Sequence, residues 1–168
     1  MRGFTLVETL VAITVITMAI VGPLYAVQQS LNASRGAREL LIASSLAQEG
    51  VEYVRFVRDS NYLNLLRNPG LMRSWLHGLD GTNGMTNCVT AACVIDARAG
   101  SVSRTVAPLY LDGSGFYNQQ SGTATIFTRT VRLTAISATE VRLTVTVTWQ
   151  SKGQTRTVVL TEYLHNWL

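Results

Sequence analysis

Gly3-Phe4-Thr5-Leu6-Val7-Glu8-Thr9-Leu10 opens a run that stays almost wholly apolar as far as Val27. About 20 apolar residues cross a bilayer as a helix. Phe4 to Val27, with Leu6, Val7, Leu10, Val11, Ile13, Val15, Ile16, Met18, Ile20 and Val21, is long enough. One carboxylate, Glu8, interrupts the run in its first turn. An acid in such a span costs roughly 2.5–3.5 kcal/mol at mid-membrane and less near an end, and as a rule it has a partner. The span offers none: Thr5, Thr9, Thr14 and Thr17 are suited to bonding back onto their own helix. The compensating positive charge therefore has to come from outside the helix.

A secretory signal peptide would want a charged n-region, a shorter apolar core and an A-x-A-like exit, and Pro23-Leu24-Tyr25-Ala26 offers none of these. A plain single-pass anchor accounts for the length, but for neither Glu8 nor the glycine ahead of it. Gly3-Phe4-Thr5-Leu6-Val7-Glu8 resembles the class III signal, of G-F-T-L-x-E type, that opens type IV pilins and type II secretion pseudopilins. The likeness continues through a helix expected to be broken near Gly22-Pro23. It implies that a prepilin peptidase cuts between Gly3 and Phe4 and that the new amino terminus, on Phe4, is N-methylated. It also implies that Glu8 is the assembly carboxylate, pairing with the freed amine of a neighbouring subunit as helices stack into a filament.

The 168 residues suit one anchor and one head domain of roughly 140 residues, enough for a packed core. Mean hydropathy of +0.20 is high for a soluble protein, and the N-terminal run supplies much of it. Of the fourteen basic residues all are Arg except Lys152, spread from Arg35 to Arg156 beyond the span. That pattern reads as a solvated surface more than a nucleic-acid stripe. Arg2 and the amino terminus mark the front end as cytoplasmic, but Arg35 and Arg38 follow the other end, so basic residues alone do not fix orientation. Cys88 and Cys93 are the only cysteines. Redox catalysis prefers a tighter C-x-x-C, and a metal site would need more ligands. A structural disulfide across a short loop is the favoured use, and it implies an oxidising, extracytoplasmic head.

Beyond the span, Leu40, Ala43, Ala47, Val51, Val54 and Val57 recur at spacings of three and four, tracing one helix face. The spacing predicts a single helix from Thr5 to about Arg58, kinked or locally opened at Pro23, with Glu52 reaching Arg55 and helix signals ending at Asp59-Ser60-Asn61. Leu63, Leu65, Leu66, Leu71, Met72, Trp75 and Leu76 suggest one or two short helical turns around Asn68-Pro69-Gly70. Gly78–Asn87 reads as loop, Cys93-Val94-Ile95-Asp96 as a short strand and Gly113-Ser114-Gly115 as a turn. Val141, Leu143, Val145, Val147 and Trp149 alternate strictly with polar residues, which marks a half-buried strand. Ser151-Lys152-Gly153-Gln154 turns it into a hairpin with Thr155–Leu164, and Phe127, Val131, Leu133 and Ala135 mark a third strand upstream. The expected fold class is α+β: a long N-terminal helix, membrane-spanning in its first half, packed by its second half on a C-terminal antiparallel β-sheet, as in the pilin fold.

Leu46-Ala47-Gln48-Glu49-Gly50-Val51-Glu52-Tyr53-Val54-Arg55 resembles the L-A-Q-E-G-x-E-x-V-R stretch of PilV-type minor pilins, related to the I-type minor pseudopilins. The closing Val145-Thr146-Val147-Thr148-Trp149 and Tyr163-Leu164-His165-Asn166-Trp167 are similar to the end of the same group. Composition alone reads residues 46–55 as a soluble amphipathic helix. No catalytic set stands out: His77 and His165 are isolated, and no P-loop, Rossmann glycine run or zinc spacing occurs. Asp80-Gly81-Thr82-Asn83-Gly84 lacks the spacing and closing glutamate of a calcium loop and reads as turn chemistry. Arg129, Arg132 and Arg142 are placed to line one sheet face, but without interleaved aromatics a nucleic-acid partner is the less favoured reading.

The expectation is thus a non-enzymatic minor type IV pilin without metal or cofactor. Residues 1–3 form its leader, 4–27 the transmembrane and assembly half of the helix, and 28–168 an extracytoplasmic head. Its partners would be other pilin subunits, the prepilin peptidase, the inner-membrane assembly platform and membrane lipid. It would sit as a single-pass cytoplasmic-membrane protein until assembled into a cell-surface pilus. The alternatives are a minor pseudopilin of a type II secretion system and a pilus-borne receptor for DNA or an adhesin ligand.

Overall fold

The computed structural model describes residues 3, 5–70, 73–81 and 85–166. Met1, Arg2, Phe4, Leu71, Met72, Thr82–Gly84, Trp167 and Leu168 lie outside the described residues, so expectations resting on them have no structural counterpart. The chain divides into two compact units, one ending at Leu40 and the other beginning at Leu41.

Helix α1 runs Leu6–Arg67 and contributes to both units. In the first unit Thr5 Oγ1 accepts the Glu8 amide at 3.3 Å and caps the opening turn. The hydroxyls of Thr9, Thr14 and Thr17 donate to carbonyls three residues back at 2.8–2.9 Å, so these three hydroxyls are satisfied within the helix. Pro23 sits inside the helix without opening it. It withholds one donor from the carbonyl of Ala19, and the helix continues past the loss. The break expected at Gly22-Pro23 is absent from the helix bounds.

In the second unit α1 buries Ala43, Leu46, Ala47, Gly50, Val51, Tyr53, Val54 and Asn61. The stripe keeps the expected three-and-four spacing, but Leu40 stays half exposed and lies outside it. The helix also runs well past Asp59-Ser60-Asn61. Leu63, Leu65 and Leu66 belong to its last turns, not to separate short helices. Asn61 does not end the helix because its side chain is used outward. Its Nδ2 donates to the carbonyls of Trp75 at 3.1 Å and His77 at 2.9 Å, tying the following turns to the helix.

Eight strands follow among the described residues: β1 Val94–Asp96, β2 Ser101–Ser103, β3 Tyr110–Leu111, β4 Tyr117–Asn118, β5 Thr123–Ala124, β6 Phe127–Ala135, β7 Glu140–Ser151 and β8 Gln154–His165. The last three form the expected antiparallel meander, in the order β6-β7-β8. Lys152 and Gly153, both at positive φ (52° and 75°), close β7 to β8 with a two-residue turn whose backbone matches the strand twist. Phe127, Val131 and Leu133 on β6, and Val141, Leu143, Val145, Val147 and Trp149 on β7, are all buried on one face. The apolar stripe of α1 joins them in a single core. The architecture is α+β, with a long helix packed on antiparallel sheet.

The short strands form two satellites, a β1-β2 pair and a β4-β3-β5 sheet. They attach to the free edge of β6. Cys93 and Val131 exchange both backbone hydrogen bonds at 2.7–2.8 Å, Leu133 donates to Cys88 at 2.9 Å, and Leu109 donates to Phe127 at 2.8 Å. Here two and three residue strands are held by side-chain acceptors at turns. Asp96 Oδ1 takes the amides of Arg98 and Ala99 while its Oδ2 takes that of Gln119, and Asn118 takes the amides of Gln120 and Ser121.

Candidate functional site

The residues expected to act are divided between the two units. Gly3 and Glu8 are exposed at the N-terminal end, and Phe4 between them lies outside the described residues. Glu8 sits in the first turn of α1, where a carboxylate is favoured by the helix dipole. Among the described residues its side chain has no ion pair or hydrogen bond. The apolar residues around it, Leu6 through Val27, are exposed throughout. This is the one helix among the described residues long and apolar enough to cross a membrane, and it lies near the N-terminus.

In the head, Cys88 and Cys93 are joined in a disulfide, with Cα atoms 5.2 Å apart, and both are fully buried. Their position explains the pairing. Both cysteines bond to β6 through their backbones, Cys88 to Leu133 and Cys93 to Val131, so the bridge closes the loop that paves the sheet edge.

The largest departure from the sequence reading is Arg129. It does not share a face with Arg132 and Arg142. Strict alternation along β6 puts residue 129 inward and residue 132 outward, and Arg129 is only 1% exposed. Its Nη1 donates to the carbonyl of Leu46 at 2.9 Å and to Glu49 Oε2 at 2.5 Å, and its Nη2 donates to the carbonyl of Ile95 at 2.9 Å. One guanidinium thus ties α1, β1 and β6 together, its planar fork serving acceptors on different elements. The three-arginine phosphate face is excluded by this burial. Gly50 belongs to the same arrangement: a Cβ there would lie 2.9 Å from Val145 Cγ1 and 3.3 Å from Arg129 Cδ. The missing side chain is what lets the sheet approach the helix.

The 46–55 stretch is therefore accounted for nearly residue by residue. Leu46 supplies a carbonyl, Ala47, Val51 and Val54 pack, Glu49 holds Arg129, and Gly50 gives clearance. Arg55 bridges Glu52 at 2.6 Å, as expected, and also Glu162 of β8 at 2.7 Å. The period of β6 was the available signal for Arg129; Glu49 and Gly50 carried none apart from the helix pattern.

The remaining candidates resolve as turns and grooves. Asp112 Oδ1 accepts the amides of Ser114 at 2.8 Å and Phe116 at 3.0 Å, and its Oδ2 pairs with Arg98. The Phe116 amide above all, with the Ser114 amide and the Arg98 guanidinium, holds this carboxyl below the usual range, against a smaller opposing effect of desolvation. Burial first, and then the negative charge of Asp96, pushes the Tyr53 phenol up. Tyr53, Phe56, Asn61 and His77 line an open groove of about 640 Å³ beside the end of α1. No group of three His, Cys, Asp or Glu side chains able to hold a metal occurs among the described residues. Asp80, at the start of the stretch weighed as a calcium loop, bridges to Asn87. Neither family models, nor curated proteins, nor solved structures give a match to this chain.

Proposed function

We propose that this chain is a minor type IV pilin, a subunit stored in the membrane, processed by a prepilin peptidase and incorporated into or priming a pilus. The observation that carries the reading is Glu8. It is a lone carboxylate at the head of an exposed apolar helix, four residues after Phe4, with no counter-charge among the described residues. A membrane or filament core would make that exposed apolar surface favourable, and a neighbour's amino terminus would neutralise the acid. Two further features support it. The helix goes on to pack an α+β head, and the stretch that resembles minor pilins, Leu46–Arg55, is the stretch that docks helix to sheet. A DNA-receptor role loses its basis with Arg129 inside the core.

Processing tests the reading. In cells that assemble pili, the mature chain should begin at Phe4 and carry an N-methyl group, and Gly3→Leu should leave the precursor uncut. An intact mass that retains Met1-Arg2-Gly3 in those cells would overturn it.

A further inference from the structure

The two edges of the three-stranded sheet are treated differently. The β6 edge is covered by the Cys88–Cys93 loop and by Leu109. The β8 edge has no strand beside it among the described residues. β8 pairs with β7 over twelve consecutive residues without a bulge, and it contains no proline. Long regular edges of this kind are templates for another strand unless something blunts them.

The geometry of β8 indicates which strand. The two-residue turn is closed by Ser151 and Gln154, a hydrogen-bonded pair. Alternation then directs the amides and carbonyls of Arg156, Val158, Leu160 and Glu162 toward β7, and those of Thr155, Thr157, Val159, Thr161 and Tyr163 away from it. The opposite edge keeps the same phase, since Phe127, Val131 and Leu133 are the β6 residues that bond outward. Around Val159 the sequence is self-complementary in the antiparallel sense: Arg156-Thr157-Val158-Val159-Leu160-Thr161-Glu162. Laid against a second β8, Val159 meets Val159, Thr157 meets Thr161, Val158 meets Leu160 and Arg156 meets Glu162. In that register every outward-facing residue from Thr155 to Tyr163 falls in a hydrogen-bonded pair.

We propose that β8 is a self-association edge, whose partner is the β8 of a second copy of this chain paired antiparallel about Val159. Charge complementarity favours the second copy over an unrelated strand. Arg55 binds Glu162 twice through Oε1, at 2.7 and 2.8 Å, and Oε2 takes no ion pair or hydrogen bond among the described residues. Among the described residues Arg156 reaches only Gln154, at 3.5 Å. Between α1 and β8 lies a groove of about 380 Å³ lined by Gln48, Val51, Glu52, Arg55, Leu160 and Glu162, with one net negative charge. The pairing aims Val158 and Arg156 of the second copy at this groove, opposite Leu160 and Glu162. Val159, more than half exposed in one copy, is covered on the sheet's other face. The two-fold axis runs normal to the sheet and reverses directions within it. The contact does not depend on the pilin reading.

The test uses the full chain in detergent micelles. Under mild oxidation Val159→Cys should give a disulfide-linked dimer, because hydrogen-bonded partners stand about 5.5 Å apart at Cα, within disulfide reach. Thr157→Cys should not link to itself but should link to a Thr161→Cys chain. Val159→Pro removes an outward amide while sparing the β7–β8 ladder, so it should keep its circular dichroism and become monomeric in the head. Arg156→Glu sets two acids opposite each other twice and should weaken the dimer about tenfold. Val159→Cys chains that stay unlinked, or self-linking of Thr157→Cys, would overturn the register and with it the proposal. So would a dimer that survives Val159→Pro, since the apolar helices would then be what holds the copies together.

Discussion

Arg129 is bonded to groups that differ in their access to water, and this sets what each substitution costs. Glu49 remains 40% exposed, whereas the carbonyls of Leu46 and Ile95 meet a guanidinium that is itself buried. Arg129→Lys keeps the charge but loses the fork, and it should lower head stability by about 1–3 kcal/mol in denaturant titrations. Glu49→Gln still presents an acceptor and should cost under about 1 kcal/mol. Equal losses would mean the ion pair, not the carbonyl bonds, is the tie. Asp112 provides a pH test. Its folded pKa lies below the ordinary 3.8, so folding favours the carboxylate. That contribution is fully present above the unfolded value and disappears as pH falls through the folded one. The stability advantage of the natural chain over Asp112→Asn should therefore narrow below about pH 3.8 in thermal melts. Residues like these are poorly visible in a sequence. Arg129 was legible only through its parity in a strand, and Asp112 only through the turn read beside it at Gly113-Ser114-Gly115.

At the scale of elements, legibility followed periodicity. Strands β6 and β7 alternate over nine and twelve residues, long enough for one-sided burial to appear as a pattern, while β8 was legible through the Ser151–Gln154 turn that feeds it. Strands β1 to β5 have two or three residues each, too short for any period, and side-chain acceptors and the disulfide loop hold them in place. The end of α1 was misplaced because Ser60 and Asn61 are helix-stop types by local chemistry, while here Asn61 is recruited by Trp75 and His77 from outside the helix. The register of β7 yields a direct contrast. Val147 is fully buried against the helix side of the sheet, and Thr146 faces the other way. Val147→Ala should cost on the order of 1–3 kcal/mol and Val54→Ala a similar amount, while Thr146→Ala should change stability by less than about 0.5 kcal/mol. Comparable losses at residues 146 and 147 would contradict burial on one face only.

At the scale of the whole molecule, the chain joins two units with opposite solvent requirements. In the second unit Glu49 and Glu162 have arginine partners, and the apolar stripe of α1 has a sheet to cover. The first exposes its apolar residues and leaves Glu8 without an ion pair among the described residues. Sequence made this asymmetry plain, since an acid in an apolar run is conspicuous. In the assembly reading Glu8 has two effects of opposite sign. It opposes insertion, because lipid disfavours a carboxylate, and it promotes incorporation, because a neighbour's amine needs a counter-charge in a low-dielectric surround. Glu8→Gln keeps the shape without the charge and should be inserted and processed but enter filaments poorly. Glu8→Leu should enter the membrane at least as well as the natural chain and assemble as badly as Glu8→Gln. Simple misfolding would lower insertion and assembly together, so the ratio of pilus-borne to membrane-stored subunit separates the two. Incorporation of Glu8→Leu at the natural ratio would show that the carboxylate is not the assembly contact.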